Sequence, residues 1–316
     1  MSEKTKVSKQ DSSGHIPVLL QDVLTQLSPE VISANRDPNV DWTTQSFRYL
    51  DGTFGRGGHL RALLEKYPQA SAVACDQDPD AIAYANENFA PWIASGRLQM
   101  IHKNFAELDW SQLGLFDMIL LDLGVSSPQL DQGPRGFSFY HQGPLDMRMN
   151  NTSGPSAADL IRDLDEDELN RIFQQYGEIP RPFRVTNAIL QDRDEKPFLQ
   201  TRDLAGLIER VDGWHRKGFH PATQYFMALR LAVNNELGVI ADALLPMIHG
   251  LKSKGRLAVL TFHSLEDRIV KNKFKEIAED KDVGSVVNKK VIQAQWSEAK
   301  GNPRARSAKL RVFQRA

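Results

Sequence analysis

Residues 49–66 read YLDGTFGRGGHLRALLEK: an apolar run ending on Asp51, four glycines within seven positions, then an amphipathic stretch. That order predicts a strand, a tight turn and a helix. Glycines this close together let backbone approach a ligand. Spacing excludes two common ligands of such turns. A phosphate-cradling loop ends in Gly-Lys-Ser/Thr, whereas these glycines lead to His59 and Leu60. A dinucleotide fingerprint starting at Gly55 requires glycine at position 60, which is Leu60. What stands here is Asp51-Gly52-x-x-Gly55-x-Gly57-Gly58. The carboxylate ahead of the glycines repels a pyrophosphate and suits a ligand with an ammonium group. Asp76 follows Gly57 by nineteen residues, at the end of the next apolar run, where an acid can accept bonds from ribose hydroxyls. A nucleoside with a cationic amino-acid tail fits both acids, and S-adenosylmethionine is that ligand. A structural turn with a chance aspartate is the plainer alternative.

The surrounding chain repeats the same unit. FRYLD and GHLRALLEKY, SAVACD and PDAIAYANENF, then LQMIHKNF and FDMILLDLG alternate short apolar strands with helical segments. This rhythm predicts a parallel sheet covered on both faces. Upstream, PVLLQDVLTQLS (17–28) predicts a helix with Pro17 in its first turn, and SANRDPNVDWTTQ predicts a loop. Residues 125–155, rich in Gly, Pro, Ser and Asp, break the rhythm, and helical patterns follow to about 211; Asp165 and Glu168 there have capping-box spacing. One long helix is expected over 222–248, a buried strand at GRLAVLTF, and an antiparallel edge pair from VVNKKVIQA and AKLRVFQRA. The expected organisation is a polar tail at 1–14, an α/β domain from 15–125 and 220–316, and a mostly helical insertion at 126–219 for substrate recognition.

Composition narrows the class. Of 316 residues, 41% are hydrophobic and 25% charged, as in ordinary globular chains. No apolar run reaches membrane-spanning length, and the start MSEKTKVSKQDSSG lacks the apolar core of a secretory signal. The single cysteine, Cys75, allows no intrachain disulfide and no thiolate metal site, which points to a reducing cytoplasm. Net charge is −1, but residues 281–316 carry nine Lys/Arg against Asp282 and Glu298. Such an excess can steer a polyanion, or it can be a solvated basic sheet edge.

The fourth strand runs into LLDLGVSSPQLD and puts a third acid, Asp122, at the end of the sheet where open α/β folds bind ligands. Together with DGTFGRGGH, RGFSF, GPLDMRM, HPAT, FHSLEDRIVK and NPRARSAKLR, this run resembles the MraW family of bacterial small-subunit ribosomal RNA cytosine-N4 methyltransferases, from His15 to Arg311. The resemblance implies a class I S-adenosylmethionine-dependent fold, Rossmann-like, with an antiparallel carboxyl-terminal edge and a helical insertion. It implies methylation of the exocyclic amine of a decoding-region cytosine, with small-subunit rRNA in an assembled or nearly assembled 30S particle as partner. Carried over motif by motif, it implies cofactor contacts at Gly57, Gly58, His59, Asp76, Phe105, Asp122 and Gln129. Asp122 and His263 become the catalytic candidates. Phe105 reads equally well as a core aromatic, and a lone histidine such as His263 is more often structural.

Cytosine's amine is a poor nucleophile, so the implied chemistry needs alignment and acceptors for the amino hydrogens, with no metal. Asp122 and the carbonyls of 124–127 are the candidates for those acceptors. A base must leave its stack to reach them, which favours an unpaired nucleotide. The chain departs from the family at IPRPFRV after residue 178, where Pro180 and Pro182 must start a helix late or bend it. Two other classes remain open on the residues: a nicotinamide oxidoreductase, opposed by the missing fingerprint, and a non-catalytic RNA-binding assembly factor that retains a cofactor cleft.

Overall fold

A computed structural model of the chain describes residues 16–33, 40–214 and 219–316. The tail expected at 1–14 and much of the loop expected after residue 33 lie outside the described residues. The described chain forms two compact units, one running up to Gly124 and resuming from Val239 to Ala316, the other spanning Val125–Gly238.

The first unit is built on strands β1 (Arg48–Asp51), β2 (Ser71–Asp76), β3 (Leu98–His102), β4 (Phe116–Asp122), β5 (Leu251–Thr261), β6 (Gly284–Val286), β7 (Ile292–Gln293) and β8 (Lys309–Arg315). They join in the order β3-β2-β1-β4-β5-β8-β6, with β7 also on β8. The first five pair in parallel, and β8 runs antiparallel to β5, β6 and β7. This is the mostly parallel sheet with an antiparallel carboxyl-terminal edge that was expected, the class I methyltransferase fold. The expected edge pair resolves differently in detail. β8 inserts between β5 and the two short strands β6 and β7, because its apolar residues Leu310, Val312 and Phe313 are fully buried there.

Strand periodicity sorts side chains onto two buried faces. On one, Tyr49, Ala74, Met118 and Leu120 pack with Leu60, Leu63 and Leu64 of the helix Gly58–Lys66. On the other, Leu50, Val73, Cys75, Ile119 and Leu121 pack with Leu244, Met247 and Ile248 and with Val270 and Phe274 of the helix Ser264–Ile277. Each fully buried leucine, isoleucine or phenylalanine contributes about 1.5–3 kcal/mol. The chain reverses its stacking order between β1 and β4, so the carboxyl ends of these strands flank a topological switch point.

Two expected helices differ. The first begins at Leu20, beyond Pro17, and ends at Gln26. It cannot start earlier, because the Val18 carbonyl is bound to His59, Leu19 has φ 52, and the Leu19 N–H is donated to Glu298 at 2.7 Å. The helix expected over 222–248 is two, Ala222–Val233 and Glu236–His249. The break falls at Asn234-Asn235. Asn235 has φ 46, and the Asn234 side chain accepts from Met149 N–H at 2.7 Å and donates to the Met147 carbonyl at 2.8 Å. No single described helix is long and apolar enough to cross a membrane.

The second unit has its own core, with Phe173, Ile189, Leu204, Tyr225 and Leu229 fully buried. Its helix Glu166–Gln175 opens with the expected capping box, Asp165 and Glu168 each bonding the other's backbone N–H. After Pro180 and Pro182 the next helix starts late, at Phe183.

Of the loop glycines, Gly57 has φ +68 and caps the helix Gly58–Lys66, and a Cβ there would collide with the rings of Phe54 and Phe89. Gly96 has φ +72 but open space around it. Gly57→Ala is therefore expected to lose about 2–4 kcal/mol from strain plus overpacking, and Gly96→Ala only about 1 kcal/mol from strain. Urea midpoints at constant m-value check this; equal losses would show that packing at Gly57 contributes nothing.

Candidate active site at the carboxyl end of the sheet

Three aspartates end three adjacent strands: Asp76 on β2, Asp51 on β1 and Asp122 on β4. Asp51 is 2% exposed. Its carboxylate accepts from Thr53 N–H at 3.2 Å and from the Tyr49 hydroxyl at 3.4 Å. Burial raises its pKa to about 7, with Asp122 and Asp76 pushing the same way and His59 opposing. Asp76 accepts from Gly55 N–H at 2.7 Å and Asp78 N–H at 2.9 Å, one on each oxygen. Burial still lifts it to about 6, against those two bonds.

Asp122 is anchored through its backbone, whose N–H donates to the Thr53 hydroxyl at 2.6 Å. Its side chain is 28% exposed, yet Oδ1 is buried and has no hydrogen-bond partner among the described residues. Burial and then the charge of Glu266 raise its pKa to about 7. A buried acceptor without a donor costs free energy in the free protein and marks a place where a ligand's donor or positive charge gains most.

His59 faces Asp122, with Nδ1 3.5 Å from Oδ2. Its Nε2 lies 3.0 Å from the Val18 carbonyl, which can only accept, so Nε2 carries a proton. A neutral ring then turns its Nδ1 lone pair toward Asp122. Two bare acceptors at this distance repel each other, which disfavours the state in which neither Nδ1 nor Asp122 carries a proton. Burial keeps the His59 pKa low, opposed by Asp51, while burial and Glu266 raise that of Asp122.

The remaining expected residues fall as follows. Gly58 gives room to Pro17, which a Cβ would meet at 2.5 Å. Phe105 follows β3, is 8% exposed, and packs in the cluster that holds Leu50, Cys75 and Leu121. Gln129 belongs to the second unit, where its Oε1 accepts from Ser126 N–H at 2.8 Å in a capping box. His263 caps the helix Ser264–Ile277. Its Nδ1 accepts from Glu266 N–H at 3.4 Å, and its Nε2 lies 3.1 Å from Glu266 Oε1. Glu266 itself is fully buried and accepts from Phe262 N–H at 2.8 Å. Thr53 and Glu266 were not singled out from the sequence. Thr53 carried no signal, whereas Glu266 three residues after His263 had capping-box spacing that could have been noticed. Among the described residues no cluster of His, Cys, Asp or Glu could hold a metal ion.

Residues 12–316 match the MraW methylase family. The chain belongs to that family. A family relative from Bdellovibrio bacteriovorus, described as ribosomal RNA small subunit methyltransferase H, is 55% identical over 99% of this chain and 91% of its own. Relatives with the same description from Rhizobium etli and Idiomarina loihiensis are 45% and 40% identical, covering 94% and 96% of this chain and 86% and 98% of theirs. The expected family, and with it a methyltransferase rather than an oxidoreductase, is borne out.

The three acids predict an unusual pH profile. Each is protonated more readily in the folded chain than in the unfolded one, where a carboxyl titrates near 3.9. From about pH 4 upward the unfolded state loses these protons first, so the contribution of these three acids to stability falls with rising pH and levels off above about 7. Asp122→Asn removes one contribution. It should flatten the profile and be more stable than wild type at pH 8 by on the order of 1–3 kcal/mol. Urea midpoints across pH 4–8 that are parallel for the two proteins would rule out a raised Asp122.

Proposed function

We propose that this protein transfers a methyl group from S-adenosylmethionine to the exocyclic N4 amine of a cytosine in the decoding region of small-subunit ribosomal RNA, in an assembled or nearly assembled 30S particle. The relatives' shared description supports the rRNA reading. The observation that carries the site is the buried, unpartnered Oδ1 of Asp122 beside two further raised carboxylates. An edge of three carboxylates fits a cation, and the cofactor carries both a sulfonium and an ammonium.

In this reading Asp51 and Asp122 face the cationic end of the cofactor, and Asp76 receives the ribose hydroxyls on the lone pairs that Gly55 and Asp78 leave free. Gly57, Gly58 and His59 form the loop beneath, and Phe105 offers an apolar surface to the adenine. The cofactor supplies an electrophilic methyl group. Asp122 accepts a hydrogen bond from the target amine, and easing that nitrogen toward a pyramidal geometry restores its lone pair. The nitrogen sheds a proton as the new bond forms. Asp122, which a bound cation would hold deprotonated, is the acceptor for that proton, with His59 Nδ1 3.5 Å from its Oδ2. His263 acts by holding Glu266 and the start of its helix, and Gln129 by shaping the Ser126–Asp131 turn.

Binding a cation lowers the pKa of each nearby acid, so cofactor binding at pH 6.5 should release protons. Its affinity should rise with pH between about 6 and 8 by up to tenfold per unit. Calorimetry in two buffers of different ionisation heat reads the release directly; identical apparent heats would remove Asp51 and Asp122 from the cationic end.

Asp122→Asn keeps shape and one acceptor oxygen. As the amine's acceptor it should cut single-turnover methylation of small subunits about a hundredfold to a thousandfold with cofactor affinity changed less than tenfold. A fall in affinity whose rate saturating cofactor restores would make it an anchor only. Turnover near wild type would defeat both roles, and no methylated cytosine in any arm, wild type included, would defeat the proposed reaction.

A further inference from the structure

We propose that Trp296, beside Lys300 on a segment rich in lysine and arginine, is a stacking platform for an unpaired base of the RNA; this rests on the reading of the protein as an RNA methyltransferase. Trp296 opens the short helix Trp296–Gly301 and is 75% exposed, more than the other exposed large hydrophobic side chains of the described chain. Among the described residues its indole makes no ring–ring contact, and the Lys300 ammonium stands 5.1 Å from it. A lone surface hydrophobe is ordinary. Its surroundings make this one different.

Residues 287–307 carry Lys289, Lys290, Lys300, Arg304 and Arg306 against the single acid Glu298. Glu298 is turned inward, accepting the Leu19 N–H at 2.7 Å. Lys289, Lys290, Lys300 and Arg306 are exposed. The lysine turn is pinned to the sheet, because the Asn288 side chain donates to the Lys290 carbonyl at 3.1 Å and to the Leu310 carbonyl at 2.9 Å. β7 then pairs with β8 at Leu310 and Lys309, and the helix of Trp296 runs directly into the turn Pro303–Arg306. Short elements around one strand thus carry the free cations and the indole together. Lys309 and Arg311, by contrast, are neutralised by Asp267 at 3.0 and 2.7 Å and add little.

An exposed indole among cations suits a partner that is anionic along its backbone and flat on its faces. Every unpaired nucleobase offers a π-face, and phosphates on either side meet the lysines. An acidic peptide would use the charges but not the ring. The helix is also tied to the site. Glu298 holds Leu19, and the neighbouring Val18 carbonyl holds His59 against Asp122.

The test uses the full chain and a fluorescein-labelled, unstructured twelve-nucleotide RNA at fixed salt, beside the same sugar-phosphate chain without bases. Trp296→Ala should weaken binding of the RNA about fivefold to a hundredfold, Trp296→Phe should recover most of it, and the abasic chain should bind wild type and Trp296→Ala alike. Neutralising Lys289 and Lys290 to glutamine should lower the slope of log affinity against log salt by about 1.4 for both chains. Unchanged S-adenosylhomocysteine affinity in Trp296→Ala certifies the fold. Equal RNA affinity of wild type and Trp296→Ala overturns the platform, as does an equal loss on the abasic chain. Methyl transfer by wild type to small subunits is scored separately: its absence sinks the proposed reaction, while the oligonucleotide result still decides the platform.

Discussion

Three carboxylates at the ends of β1, β2 and β4 share one edge of the sheet, and the burial that raises their pKa values is the constraint to which the surrounding groups answer. Parallel strands end together, so acids in the last position of neighbouring strands are brought side by side whether or not they favour it. The structure offsets the cost with Gly55 and Asp78 N–H groups on Asp76, Thr53 and Tyr49 on Asp51, and His59 opposite Asp122. The offset is incomplete. Asp122 Oδ1 is left without a donor, and protons are held that an exposed carboxyl would have released. The uncompensated acceptor at Asp122 is the feature on which the proposed binding of a cationic cofactor rests.

His59 connects this edge to both ends of the described chain. Its ring is oriented by Val18, whose neighbour Leu19 is gripped by Glu298, while Asn302 donates to the Ile16 carbonyl at 3.0 Å. Pro17 lies between these bonds and packs against Gly58. The segment 16–19 is thus a wedge between the glycine loop and the Trp296 helix. Two of the loop glycines are there for this packing: Gly57 for Phe54 and Phe89, and Gly58 for Pro17. Gly55 has φ +54 and aims its N–H at Asp76. The loop glycines thus let Pro17, Phe54 and Phe89 pack closely and let the Gly55 N–H reach Asp76.

The basic carboxyl-terminal segment shows why a count of charges is a weak guide. Lys309 and Arg311 alternate on β8 with buried Leu310 and Val312, and both close on Asp267 from the helix Ser264–Ile277. Arg315 donates to the carbonyls of His249 and Leu251. The charge that remains for a polyanion sits at Lys289, Lys290, Lys300 and Arg306, on the short elements outside the strand.

The strands from 48 to 122 and the helices between them were legible because their apolar residues repeat with strand and helix periods, and burial on two faces demands that repetition. Asp51, Asp76 and Asp122 were legible for the same reason: each is the first polar residue after an apolar run, and a parallel sheet aligns such ends. The capping box at Asp165 is local, spanning one helical turn, and so was also readable. The start of the first helix was not, because Glu298 and His59, remote in sequence, take the backbone groups that would have extended it to Pro17. Nor was the break at Asn234-Asn235, where the Asn234 side chain answers the backbone of 147–149. The resemblance made His263 a catalytic candidate and Gln129 a cofactor candidate, while the capping bonds both make arise only once helices begin beside them. What the sequence determined by itself is what local periodicity and strand ends dictate: the sheet, its acids and the family. What only the tertiary structure decided is which polar groups remain without a partner after folding, since a hydrogen bond between residues 279 positions apart leaves no trace in either neighbourhood.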